Sequence, residues 1–113
     1  MAESKEQDFY CDEVLSGHTP VEVVAETENV LAFRHPRPER SFHVVVIPKR
    51  HVASLLAMRP EDVHLLAEMV TVIQGIAQKA VAEQGGCQVI TNLGSYQRNK
   101  HLHWHVRSGD PVR

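Results

Sequence analysis

Apolar and polar residues recur along this chain with two different periods. Short β-rich runs at Val21-Glu22-Val23-Val24 and Val30-Leu31-Ala32-Phe33 flank Thr27-Glu28-Asn29, a pattern that predicts two strands of a hairpin. Phe42 to Ile47 is an unbroken apolar and β-branched stretch that Pro48 stops, which predicts a strand buried on both faces. Pro60-Glu61-Asp62 is a helix start and Gly85-Gly86 a helix stop. Between them Val63, Leu66, Ala67, Val70, Ile73, Ala77 and Val81 recur at helical spacing. Leu65, Met69, Val72 and Ile76 form a second stripe, so this helix is expected to be covered on two sides, by the sheet and by Val52 to Met58 or a second copy of the chain. Cys87 to Ile90 and Leu102 to Val106 complete five strands. The expected class is α+β: a five-stranded antiparallel sheet, one long helix and one or two short ones.

The length of 113 residues suits one domain, expected to span 1–113 with a flexible segment at 1–7. A composition of 42% hydrophobic and 23% charged residues is that of a globular protein. The net charge of −2 argues against a dedicated nucleic-acid binder. The charge is unevenly placed: acidic residues dominate up to Glu28, whereas Arg34, Arg37, Arg40, Lys49 and Arg50 face Glu39 alone, and Arg98, Lys100 and Arg107 follow later. If the two basic stretches meet in the fold, they make an anion pocket. Two distant cysteines, Cys11 and Cys87, make no disulfide framework and point to a cytoplasmic location. No uninterrupted apolar run approaches the ~18–20 residues of a membrane span.

Eight histidines are many for such a chain, and three alternate in His101-Leu102-His103-Trp104-His105-Val106. On an extended strand they share one face, ~6.5–7 Å apart, with Leu102, Trp104 and Val106 on the other. Three imidazolium charges so close would repel, so most of the row is expected to be neutral near pH 7. A neutral ring whose Nδ1–H is donated to a carbonyl keeps an Nε2 lone pair, a base or nucleophile suited to attack on phosphorus. The same spacing suits metal ligation, and spacing alone does not choose between the two.

The row His101 to Arg107 resembles the His-φ-His-φ-His-φ-φ signature of the histidine triad (HIT) family of nucleotide hydrolases and transferases, φ being apolar, with Arg107 in the last apolar place. Ile47-Pro48-Lys49-Arg50-His51 is similar to the family's strand end and fourth histidine, Ala32-Phe33 to its nucleotide-pocket strand, Asn92-Leu93-Gly94 to its Asn-x-Gly turn and Gln97 to its phosphate-contacting Gln. The resemblance implies a HIT-like fold in which His103 attacks the α-phosphate of a purine nucleotide conjugate, a phosphoramidate or an adenylate, to give a nucleotidyl-histidine that water cleaves. His105, His101 and His51 would hold phosphate or order the row. Asn92, Gln97 and Arg98 would bind phosphate, with Arg98 where the family often has Ser or Thr. Phe9, Tyr10, Val14 and Phe33 would form the base slot or else simply pack the core. His35 stands where the family commonly has an Asp that binds the ribose hydroxyls.

A sister branch of the family implies one alternative function, a dinucleoside polyphosphate hydrolase, and the alternative from another class is a non-catalytic nucleotide- or zinc-binding module that keeps the pocket without turnover. Catalysis is expected to need no cofactor, and a homodimer is expected through helices and sheet edges. Some relatives hold structural zinc through Cys-x-x-Cys, a His eight residues before the fourth histidine, and the first triad His. The corresponding residues here are Asp8, Cys11, His43 and His101.

Overall fold

A computed structural model describes residues 10–112. Asp8, Phe9 and the segment 1–7 lie outside the described residues. Five strands, β1 (Val23–Glu26), β2 (Val30–Arg34), β3 (Arg40–Pro48), β4 (Gln88–Ile90) and β5 (Trp104–Pro111), form one antiparallel sheet in the order β1-β2-β3-β5-β4. The long helix α1 spans Val63–Gln84 and enters through a 3-10 turn at Pro60–Asp62. It ends where Gly85 takes a φ of 91°, left-handed backbone that glycine adopts without a Cβ clash. The remaining helical pieces are single turns at Tyr10–Leu15, Leu55–Ala57 and Gly94–Tyr96.

The sheet buries both faces, as the unbroken β3 pattern requires. Toward α1 lie Phe42, Val44 and Val46 of β3 with Val106 and the half-buried Trp104 of β5. Val45 and Ile47, of opposite parity, pack with Leu31 and Phe33 of β2 under Tyr10 and Val14. Glu68 on α1 accepts hydrogen bonds from the Thr27 hydroxyl and from the Asn29 backbone and side-chain N–H groups, tying the helix to the β1–β2 hairpin.

Two expectations change. The face of α1 turned to the sheet is Met69, Ile73, Ile76 and Ala80, whereas Val63, Val70 and Val81 of the first stripe are exposed. The inward face thus draws on both stripes, Ile73 of the first with Met69 and Ile76 of the second, and Leu65, Leu66, Val72 and Ala77 pack partly buried beside it. Pro60–Gln84 is also long and apolar enough by length and composition to cross a membrane, despite its interrupting polar residues. The same apolarity supplies its contact with the sheet. The last strand begins at Trp104 and runs on to Pro111, so His101 and His103 sit in the extended approach to β5.

Candidate functional site

On the sheet face opposite α1, strand parity gathers imidazoles from three neighbouring strands. His43 shares the face of Val45 and Ile47, and the β3–β5 register sets Val45 against His105 and His43 against Arg107. His35, just past β2, donates its backbone N–H to the His43 carbonyl. His35 stacks on His43 with ring centroids 4.4 Å apart, and His103 meets His105 edge-on at 5.1 Å.

The hydrogen bonds assign the tautomers. His103 Nδ1 lies 2.8 Å from the His101 carbonyl, which can only accept, so the proton is on Nδ1 and the lone pair on Nε2. His43 Nδ1 accepts the Glu39 backbone N–H at 2.9 Å, so its proton is on Nε2 and is donated to His105 Nδ1, 2.9 Å away. His105 therefore carries its own proton on Nε2. His35 Nδ1 accepts the Arg37 backbone N–H, which likewise puts that ring's proton on Nε2. A lone pair on His103 thus stands beside an N–H on His105.

Burial keeps these rings neutral. It pushes His43 and His105 down to about 4, helped at His43 by His35 and Arg107 and at His105 by His103, His43 and His35. Burial also lowers His103, against the opposing bond to the His101 carbonyl, and lowers His35 against the pull of Glu39. His103, His105 and His35 line a cavity of about 530 Å³ with Arg37, Arg98 and Arg107, so the two basic stretches do meet. Tyr10, Asn92 and Asn99 also face it, and the buried Oδ1 of Asn99 has no hydrogen-bond partner. Glu39, at its edge, is bound to Arg107.

Behind this cavity lies a second cluster. His101 is fully buried and its Nε2 donates to the Pro48 carbonyl at 2.8 Å, which leaves an Nδ1 lone pair 3.4 Å from Cys11 Sγ. One ligand atom from each of Cys11, His51 and His101 lies within 4.8 Å of the others. Thiolate and imidazole donors, one imidazole already oriented by a carbonyl, fit zinc once a further ligand is added. His35, His43 and His105 lie equally close, but they fit a metal poorly. Backbone N–H groups occupy the Nδ1 lone pairs of His35 and His43, and their Nε2 atoms hold protons.

A family model described as "Scavenger mRNA decapping enzyme C-term binding" matches residues 8–111. An uncharacterized HIT-like protein of Helicobacter pylori is 31% identical over 101 residues, 88% of this chain and 94% of that protein. The chain belongs to the histidine triad family. A HIT family hydrolase from Legionella pneumophila superposes with a TM-score of 0.81 at 31% identity, covering 92% of this chain and 94% of that one. A histidine triad protein from Clostridium difficile gives a TM-score of 0.80 at 31% identity, covering 100% and 97%.

Within this HIT fold the expected residues separate into groups. His103, His105, His35, Tyr10, Asn92 and Arg98 line the cavity. His51 does not. The histidine that joins His105 is His43, and His51 goes to the Cys11 and His101 cluster, so these two residues exchange the places expected of them. The reason is local: His43 lies within β3 on the site face, whereas His51 follows the strand's end at Pro48. His101 supplies its carbonyl to His103 while its ring faces away from the cavity. Phe33 and Val14 pack in the core. Gln97 is buried, and its amide donates to the Ala53 and Asn99 carbonyls at 2.7 and 2.9 Å, shaping the loop instead of lining the cavity. Glu39, Ile90, Tyr96 and Asn99 also line the cavity and were not expected there from the sequence. Only Glu39 carried a signal, as the lone acid in a basic stretch.

Proposed function

We propose that the protein is a hydrolase or nucleotidyl transferase acting at the α-phosphate of purine nucleotide conjugates. One observation carries the reading: the His103 Nδ1–H is held by the His101 carbonyl, which aims an Nε2 lone pair beside the His105 N–H in an arginine-lined cavity. Nε2 attacks phosphorus, an N–P bond forms, and the bond to the leaving group breaks, its electron pair departing with that group, which takes a proton from water. The His101 carbonyl stabilises the positive charge left on the ring, and the His105 N–H donates to a phosphoryl oxygen. Water then attacks phosphorus, loses its proton to solvent, and the N–P electrons return to Nε2. The orphaned Asn99 Oδ1 is an acceptor suited to the N–H of an amine leaving group, which favours phosphoramidates. Arg37 and Arg98 favour a second reading, a dinucleoside polyphosphate hydrolase.

Structural zinc would be held by Cys11, His51 and His101, with Asp8 as a candidate fourth ligand. It would pin the segment carrying Tyr10 to the approach of β5. Pairing through the exposed stripe of α1 would make a homodimer, and a cytoplasmic location accords with two free cysteines. The deciding experiment is hydrolysis of adenosine 5′-phosphoramidate by wild type and His103→Ala. Loss of at least ~10³-fold in kcat is expected for the variant. A variant as fast as wild type refutes the nucleophile assignment.

A further inference from the structure

The mouth of the cavity is built mainly of hydrogen-bond donors and cations. His35 has its Nδ1 occupied by the Arg37 backbone N–H, so the ring offers a ligand an N–H and no lone pair. That bond also fixes the backbone of Arg37 against the ring. Arg98 comes from the separate loop between β4 and β5 and lines the same cavity. Arg34, Lys49, Arg50, Arg59 and Arg107 each face a carboxylate, but among the described residues Arg37 and Arg98 have no ion-pair partner. Among the described residues Glu39 is the only carboxylate lining the cavity, and one of its oxygens is paired with Arg107. His35 and Arg37 also border a neighbouring cavity of about 530 Å³ with Tyr10, Thr19 and Pro36. They therefore stand between two spaces, where a ligand longer than a monophosphate would pass.

We propose that His35, Arg37 and Arg98 bind a second phosphate of the ligand, distinct from the phosphorus that reacts at His103. The inference rests on the proposed function for the place of the reacting phosphate. Two guanidinium groups supply the charge and the planar donor pairs that phosphate oxygens accept, and the neutral His35 N–H supplies direction. The second phosphate can belong to the sugar or extend the 5′ chain.

Calorimetric titration of the full chain at one fixed ionic strength tests this with three probes: adenosine 5′-monophosphate, adenosine 5′-diphosphate and adenosine 3′,5′-bisphosphate. The expected result is that one doubly phosphorylated probe binds wild type at least fivefold more tightly than the monophosphate. The diphosphate winning identifies the chain as the source, and the bisphosphate winning identifies the sugar. The advantage is expected to fall below twofold in His35→Asp and in Arg37→Ala/Arg98→Ser, and to persist in Arg59→Ala, which is remote from the cavity. An advantage below fivefold in wild type, or one that stays at or above twofold in either cavity variant, overturns the proposal. Hydrolysis of adenosine 5′-phosphoramidate by the same preparations reports separately on His103. Turnover without the advantage sinks the second-phosphate site alone, and the advantage without turnover sinks the catalytic reading alone.

Discussion

Acid should unfold this protein through its own active-site cluster. His43 and His105 titrate near 4 in the folded chain, against an ordinary value of 6.5. A histidine whose folded pKa is lowered contributes its full stability above the unfolded value, loses it as pH falls from about 6.5 toward about 4, and changes little below that. Between pH 7 and pH 5 one such ring holds on average about 0.7 of a proton more in the unfolded than in the folded state, and the integral is about 2 kcal/mol. His43 is only 2% exposed and keeps that figure. His105 is partly exposed, so solvent screening reduces its share and the pair should lose roughly 3 kcal/mol. The burial-lowered His35 and His103 act in the same direction. Asp62 and Glu68 have lowered carboxyl pKa values through their hydrogen bonds, so they lose their contribution only at more acid pH. Stopping at pH 5 therefore isolates the imidazoles. The assay is urea denaturation from pH 7.5 to 5 at constant ionic strength with chelator present, so that metal release does not contribute. At an m-value of ~1–2 kcal/mol per molar, the midpoint should fall by roughly 1.5–3 M. His43→Gln, which keeps an amide N–H for His105 Nδ1, should remove about two-thirds of the dependence. A wild-type midpoint that moves by less than about 0.3 M, or a variant with the wild-type slope, refutes the burial argument.

Nitrogen-15 correlation spectra at pH 7.5 should place the proton on Nδ1 of His103 and on Nε2 of His35, His43 and His105; a proton on Nε2 of His103 at that pH contradicts the nucleophile assignment. Elemental analysis of untagged protein should find about one zinc per chain, consistent with one closed structural site. Cys11→Ala should reduce it to background, and zinc already at background in wild type removes the metal reading. Leu102→Ala deletes a fully buried side chain between α1 and the sheet and should cost about 2–5 kcal/mol in urea unfolding, with the tautomers of His103 and His105 unchanged.

Much of this architecture is legible in the sequence because one physical signal dominates each element. Pro48 and Gly85 end β3 and α1 close to where their backbone chemistry requires. The apolar run before Pro48 becomes a strand covered on both sides. What escaped the sequence depends on contacts between distant segments. Which residues of the two stripes of α1 turn inward is settled by the helix's fit to the sheet, which takes Ile73 from one and Met69 and Ile76 from the other. Gln97 reads as a phosphate ligand from its place in the chain, but its amide is consumed by the Ala53 and Asn99 carbonyls. Asn99 had no local signature at all.

The exchange between His43 and His51 is more instructive, because parity alone could have resolved it. Every second residue of β3 faces the site, so once Val45 and Ile47 are placed on that face His43 must join them, and the register then brings it to His105. His51 lies beyond Pro48, where the strand has ended and its alternation no longer applies. The same parity makes the site indivisible. His43 sets the tautomer of His105, its ring stacks on that of His35, and the His35 ring orders Arg37. A substitution at His43 that removes both the ring and its N–H, such as His43→Ala, should therefore perturb catalysis and ligand selection together, although that buried ring does not line the cavity.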